Sequence, residues 1–238
     1  MRVRTLLGWS LVVVAVFGVL SILADSRGST SQQSSPLAER LSTASLLNLR
    51  DSEPITLMAT GDVMLARSVE AVMRKRKDYA YPFQATADML KEADIAFANL
   101  ETPLLPGVNT PIGSMTFRAD PESVAGLQFA GFDVLSCANN HTMNYKEKGL
   151  LNTVKILREN GISPVGCGAN QDEAHTPVVM EVSGKKVAFL AYNDRTIPPR
   201  FHGEAKFNVA GIAAMDVAAM VGDVKNAAKE ADFVVVSM

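Results

Sequence analysis

The chain has 238 residues, 47% of them apolar, with 23 Lys and Arg against 25 Asp and Glu for a net charge of −2. The apolar share suffices for a packed core, and the near balance of charge removes the electrostatic basis for nucleic-acid binding, so no nucleic-acid partner is expected. Two cysteines, Cys137 and Cys167, make no disulfide framework. Each lies near the end of an apolar run and reads as a buried free thiol, a single bridge being the alternative in an exported domain.

Arg2 and Arg4 precede an uncharged stretch from Thr5 to Ala24. As a helix this stretch would span about 30 Å, the thickness of a bilayer core. Charge before it and none within it fit a cleaved signal peptide or an uncleaved signal anchor. Ile22 and Leu23 just upstream of Ala24 make a poor cleavage site, so residues 1–25 are expected to be a transmembrane anchor. The arginines then stay inside, which predicts a single-pass cell-membrane protein whose remaining chain is extracytoplasmic. Residues 26–54 open on Ser-Arg-Gly-Ser-Thr-Ser-Gln-Gln-Ser-Ser-Pro and read as a flexible tether, with a short amphipathic pattern at 37–50. Residues 55–238 remain for one α/β domain.

Ile55 to Leu65 begins as an apolar strand running into Gly61-Asp62, which predicts a sharp turn or a close approach to a ligand at Gly61 and a carboxylate at the strand's C-terminal end. In open α/β sheets such ends are where ligands bind. Helices are expected at 66–77 and 83–92, the first ending in the basic run Arg74-Lys75-Arg76-Lys77. That run reads as a solvated last turn suited to the helix dipole, with lipid headgroups or an anionic polymer as the sharper alternative. Asp94 to Ala98 is a second strand, delivering Asn99-Leu100-Glu101. Residues 102–117 carry Pro103, Pro106, Gly107, Pro111 and Gly113 and predict an extended loop beside a strand end.

A helix is expected over 121–130, with Asp120 as N-cap and Pro121 in its first position. Asp133 to Ala138 is a third strand, followed by Asn139-Asn140-His141. Residues 146–160 show a helical stripe of Leu150, Val154 and Leu157. A short strand at 163–166, a hairpin of 178–182 with 185–192, a long helix at 213–230 and a last strand at 232–237 complete the pattern. A terminal strand without a following element predicts that the C-terminal part of this domain is absent from the sequence.

Carboxylates, amide oxygens and imidazole suit Mn, Zn, Fe or Mg. The strand ends offer Asp62, Asn99, Glu101, Asn140 and His141, and a pair of metals so held would clamp the oxygens of a phosphoester. With only three histidines in the chain, a dinuclear site is under-supplied. Each residue also has a plainer reading. Asp62 could cap a helix, Asn99 and Asn140 could hold turns, His141 could be a core histidine, and Glu101 could be a solvated loop residue. Gly166-Cys167-Gly168 resembles part of a dinucleotide fingerprint but lacks the third glycine and opens no helix.

Taken in order, Gly61-Asp62-Val-Met-Leu, Ala98-Asn99-Leu-Glu101-Thr-Pro and Ala138-Asn139-Asn140-His141 resemble the CapA family of bacterial capsule synthesis proteins. Phe117-Arg118-Ala119, Gly166-Cys-Gly-Ala-Asn170 and Ala191-Tyr192-Asn193-Asp194 are similar to further family blocks. That family includes the poly-γ-glutamate synthesis protein and belongs to the calcineurin-like metallophosphoesterase superfamily. The resemblance implies a four-layer α/β/β/α sandwich of the metallophosphoesterase type, here incomplete at its C-terminus, behind one transmembrane helix. It implies Asp62 as the first metal-binding aspartate, with methionine replacing the usual following histidine. Asn99 and Glu101 fall at the second acidic motif, Glu101 being the favoured ligand. Asn140 matches the metal-binding asparagine, and His141 the histidine that serves the leaving oxygen, so that Asp62 and His141 carry the catalytic expectation.

The family's later histidine motifs are not found. The implied partners are the membrane, an anionic surface polymer or its precursor, and other membrane proteins of the polymer machinery. The expected function is metal-dependent hydrolysis in capsule or poly-γ-glutamate synthesis or export. A non-catalytic assembly factor and a binding protein for an acidic sugar or peptide are the alternatives.

Overall fold

Four apolar runs separated by helical segments build a parallel sheet in the computed structural model, which describes residues 54–194 and 203–238. Its strands are β1 (Leu57–Val63), β2 (Ile95–Leu100), β3 (Val134–Ser136) and β4 (Ser163–Val165), neighbours in that order. A second sheet is ordered β6 (Val178–Val182), β7 (Lys185–Ala191) and β9 (Phe233–Ser237). Between them in sequence, β5 (Cys167–Gly168) and β8 (Gly211–Ile212) form a short antiparallel ladder. The helices are α1 (Ser68–Arg76), α2 (Ala87–Lys91), α3 (Val124–Ala130), α4 (Lys146–Glu159), α5 (Gln171–His175) and α6 (Val217–Ala227). Among the described residues no helix is long and apolar enough to cross a membrane. The expected anchor and tether, residues 1–53, lie outside the described residues.

The alternation of β2 shows how the layers arise. Ala96, Ala98 and Leu100 pack with Leu127, Leu150, Val154 and Leu157 of α3 and α4. Ile95 and Phe97, on the opposite face, pack with Val187, Phe189 and Val235 of the second sheet. Phe97 and Phe189 stack with centroids 5.8 Å apart and an interplanar angle of 9°. A strand buried on both faces must read as a continuous apolar run, which is why β2 stood out in the sequence. Ala188, Leu190 and Val234 cover the outer face of the second sheet against Val224 and Ala227 of α6. The order is therefore helices, sheet, sheet, helix. Asp223 ties α6 down by accepting from Tyr192 Oη at 2.8 Å and lying 2.7 Å from His175 Nδ1.

Local expectations hold in kind and shift in detail. β1 does not turn at Gly61 but runs on to Val63, with an irregular register between Ala59 and Asp62. The helix expected at 83–92 is a 3-10 turn at Tyr81–Phe83 followed by the short α2. The helix expected at 213–230 begins only at Val217, because Ala213 and Met215 donate to Gly166 O and Asn193 O in extended chain. Asp216 then caps it by accepting from Ala219 N at 3.0 Å. Cys137 and Cys167 are both buried and free, as expected. Burial and a hydrogen bond to Cys137 push the Cys167 thiol well above its ordinary range, the hydrogen bond being the larger cause.

Gly166 carries no nucleotide-binding role. It has φ +77°, and a Cβ there would lie 2.5 Å from Ala191 O and 2.7 Å from Ala138 Cβ. Only glycine fits that close approach of the two sheets.

Asp120 stands at the expected N-cap position with extended backbone, but its side chain makes no cap bond, and Arg74 is not simply solvated. Pro121–Ser123 is a 3-10 turn, and the Asp120 carboxylate accepts from Arg74 Nε at 2.6 Å, Tyr79 Oη at 3.0 Å and Arg118 Nη1 at 3.1 Å. Burial pushes the Asp120 carboxyl up, yet these bonds outweigh it and hold the group below its usual range. Arg118 is almost wholly buried and meets Glu70 Oε1 at 2.5 Å. Burial raises the Glu70 carboxyl even so, against the opposing charge of Arg118. Arg118 also donates to Leu105 O at 2.7 Å and Val108 O at 2.9 Å, so it clips the 102–117 loop onto α1.

Arg118→Leu leaves the fully buried Glu70 with only the longer contact to Arg74 Nη2, at 3.2 Å, and frees the loop. Chemical denaturation at pH 7 should show a loss of about 3–5 kcal/mol, the cost of breaking one side of a buried pair. A loss below about 1 kcal/mol would mean that the loop is held by packing alone.

Candidate functional site

The C-terminal ends of β1, β2 and β3 meet at one cavity of about 120 Å³. That volume admits a cation and a few waters, at about 30 Å³ each. Asp62, Asn99, Glu101, Asn139 and Asn140 line it, and Asn193 enters from the end of β7. The convergence follows from parallel register. Asp62 pairs across from Asn99, and Asn99 across from Ser136. Glu101 N donates to Val63 O at 3.1 Å and so carries the edge two residues further. Four of the five predicted site residues are thus brought together.

His141 is the exception, for it does not line this cavity. Its ring stacks on Phe117 with centroids 3.9 Å apart, and the Arg67 guanidinium lies over the same Phe117 ring, 4.6 Å from its centroid. Asn144 Oδ1 accepts the Phe117 N–H at 2.6 Å, so the amide oxygen is the atom facing His141 Nδ1 at 3.1 Å. Nδ1 must then carry the proton, leaving Nε2 as the acceptor in the neutral ring. Burial lowers the His141 pKa, and the charge of Arg67 acts in the same direction against the hydrogen bond to Asn144. The imidazole is therefore neutral at pH 7. Arg67 itself sits at φ 58°, and its guanidinium donates to Ser114 O.

Two arrangements were not legible in sequence. Asn139 is buried and accepts at Oδ1 from His141 N and Thr142 N, both at 3.0 Å, while its Nδ2 donates to Leu100 O at 2.9 Å and Asn99 Oδ1 at 3.0 Å. Asn99 Nδ2 in turn donates to Asp62 Oδ1 at 2.8 Å. The sequence signal for Asn139 was only its place in an Asn-Asn-His triplet. Phe117 was signalled only as part of the Phe117-Arg118-Ala119 block, and Arg67 and Asn144, in separate connections, had no signal.

The donors fit one hard cation. Glu101 and Asn140 have no side-chain hydrogen-bond partner among the described residues, although both face the same cavity as Asp62. A half-buried carboxylate without a donor is costly unless a cation answers it. Burial, and secondarily the charge of Asp62, push Glu101 up to about 7. Among the described residues no group of three or more His, Cys, Asp and Glu gathers, so any cation here would rest on two carboxylates and amide oxygen.

Comparison with known proteins places the domain. The family model described as bacterial capsule synthesis protein PGA_cap matches residues 56–238. The chain belongs to this family.

Its matches include the capsule biosynthesis protein CapA of Bacillus anthracis, 32% identical over 149 residues, or 61% of this chain and 36% of that one. The PGA biosynthesis protein CapA of Bacillus subtilis is 29% identical over 182 residues, covering 74% and 46% of the two chains. A Mycobacterium tuberculosis protein named a probable polyglutamine synthesis accessory protein is 29% identical, covering 54% and 34%. The chain thus spans less than half the length of each of these relatives. Among solved structures, the NAD nucleotidase NadN of Haemophilus influenzae matches with a TM-score of 0.40 at 12% identity, over 64% of this chain and 26% of that one. At that score the likeness carries no weight for fold or function.

The raised Glu101 has a signed consequence for stability. Unfolded, it ionises near a pH of about 4.3; folded and metal-free, near about 7. Between those values the folded chain holds the extra proton, so stability falls as pH rises through the window. Glu101→Gln should stabilise the protein in EDTA at pH 8, on the order of 2 kcal/mol, and leave it nearly unchanged at about pH 4. Thermal melts at the two pH values check this, and an equal gain at both would contradict it.

Proposed function

We propose that this protein acts in the synthesis or export of an anionic surface polymer of the poly-γ-glutamate type. In this reading residues 1–25 anchor it in the cell membrane, the domain faces outward, and its partners are the polymer or its precursor and other membrane proteins of the machinery. The β1–β3 cavity serves as a metal-dependent hydrolytic site of metallophosphoesterase type, in a sandwich of that architecture. One observation supports this above the others: two carboxylates, Asp62 and Glu101, share a cavity at parallel strand ends in a domain of the capsule synthesis family.

Asp62, Glu101 and the amide oxygen of Asn140 are the residues to hold a divalent ion, and oxygen donors of this kind favour Mg or Mn over Zn or Fe. When bound, such an ion supplies Lewis acidity and lowers the pKa of water. The chain supplies the rest. Glu101, with its high proton affinity, gives up its proton on loading. His141 lies close enough for the charge of Asp62 to act on it. Its neutral ring stands outside the cavity lining and in this reading serves the leaving oxygen.

A second reading, a non-catalytic factor of the same machinery, is favoured by the under-supplied ligand set among the described residues. It also agrees with the accessory role in the printed name of the mycobacterial relative.

The test uses the full chain. Purified with Mn or Mg, it should hold metal and hydrolyse bis(p-nitrophenyl) phosphate, with Asp62→Ala lowering the rate about 100-fold or more. In a strain that depends on this protein for polymer, Asp62→Ala and His141→Ala should each abolish production. Polymer made normally by both variants but lost on deletion would favour the non-catalytic reading.

A further inference from the structure

Asn99 was expected to ligate metal, but the atom it presents to Asp62 is nitrogen. Ordinarily the two ends of an asparagine amide are interchangeable in appearance, and their assignment rests on the partners. Here the partners leave no freedom. Asn139 Oδ1 accepts two backbone N–H groups, of His141 and Thr142, and its Nδ2 donates to the backbone carbonyl of Leu100. Turning that amide over would set N–H against N–H and oxygen against oxygen at three fixed backbone groups. The second hydrogen of Asn139 Nδ2 is given to Asn99 Oδ1 at 3.0 Å. This fixes the second amide in turn, so that Asn99 Nδ2 must face Asp62 Oδ1, at 2.8 Å. Backbone geometry in the 139–142 turn is thereby transmitted through two side chains to a carboxylate on a different strand.

We propose that Asn99 is a positioning residue and not a ligand: its amide N–H occupies one oxygen of Asp62, and Asn139 holds it in that orientation. The chemistry is directional. An amide nitrogen has no lone pair to offer a cation, and the amide oxygen of Asn99 is at the end of the group turned toward Asn139. Asp62 is exposed, and without the bond its carboxylate would rotate freely in water. With one lone pair of Oδ1 taken by this bond, Oδ2 is the less encumbered oxygen for a cation. A neutral donor at this place also adds no third charge to a cavity where Glu101 is already raised. Partners of this outer kind typically govern metal affinity by 10–100-fold. The proposal rests on the reading of the cavity as a cation site only for its metal arm; the hydrogen-bond relay stands apart from it.

The experiment therefore has two arms on the full chain. In the first, metal-free protein is ¹⁵N-labelled and the side-chain amide of Asn99 is followed by NMR. Its signal should exchange slowly with water and move when Asp62→Ala is introduced; a signal unaffected by that change overturns the relay. In the second arm, Mg²⁺ alone is titrated by calorimetry. Asn99→Ala should weaken binding by about 10–100-fold. Asn99→Asp should weaken it as well, because it removes the donor and sets a second carboxylate against Asp62. Tighter or unchanged binding by Asn99→Asp would make residue 99 a ligand and overturn the proposal. The NMR signal of Asn99 should also survive Mg²⁺ addition to the wild type, since loading requires no amide turn. Wild-type protein that binds no Mg²⁺ sinks the cation reading of the cavity, and the NMR arm alone then decides the relay.

Discussion

Parallel pairing of β1 with β2 is the constraint on which the site depends. Side chains alternate along a strand with a period of two, so a slip of one residue would carry every side chain to the opposite face. Leu57 faces Ile95 and Met58 faces Ala96, a register that would set Gly61 opposite Asn99, and the one-residue irregularity between Ala59 and Asp62 brings Asp62 there instead. The register is held by burial on both faces of β2. Small Ala96 and Ala98 let α3 and α4 come close, while Phe97 fills the space between the sheets against Phe189. Exchanging those faces would put a phenylalanine where the helices leave room for alanine. Core volume therefore locates the polar edge, though no core atom touches it.

The irregularity between Ala59 and Asp62 adds to this. A bulge re-aims the residues that follow it, and bulges concentrate beside functional sites. It lets β1 continue past Gly61, so that Val63 O can take Glu101 N and both carboxylates reach one cavity. On the other side of the sheet, the charged cluster of Glu70, Arg74, Arg118 and Asp120 serves the loop and not the site. Such buried pairs give little net stability but define one arrangement. Here that arrangement fixes the base of the segment that also carries Phe117 to His141.

How much of this could be read from residues alone divides along sequence distance. An apolar run followed by polar residues is a local pattern, and it located three strand ends and four of the cavity's side chains. Asn139 and Asn140 are adjacent and identical in type, so nothing local tells which one keeps its amide free at the cavity and which one organises the turn. Asp120 before Pro121 is a sound local cap signal. It lost because Arg74, 46 residues earlier, supplies a charged partner that a helix N-terminus cannot match. The helix expected from Ala213 was shortened for the same kind of reason. Ala213 and Met215 satisfy their backbone groups with Gly166 and Asn193, partners that no helical periodicity could disclose. His141 illustrates the converse case, since the sequence placed its backbone correctly beside the cavity while Phe117 and Asn144 decided where its ring lies.

Gly166 has a mechanical corollary. It is the point where Ala138, one residue before the Asn139 turn, touches Ala191, two residues before Asn193. The two sheets are thus in contact, without an intervening side chain, at the position from which both approach the cavity. The spacing between the sheets beside the cavity is therefore set by two methyl groups and a missing one, so a side chain added at residue 166 would have to push apart the two segments that carry Asn139 and Asn193.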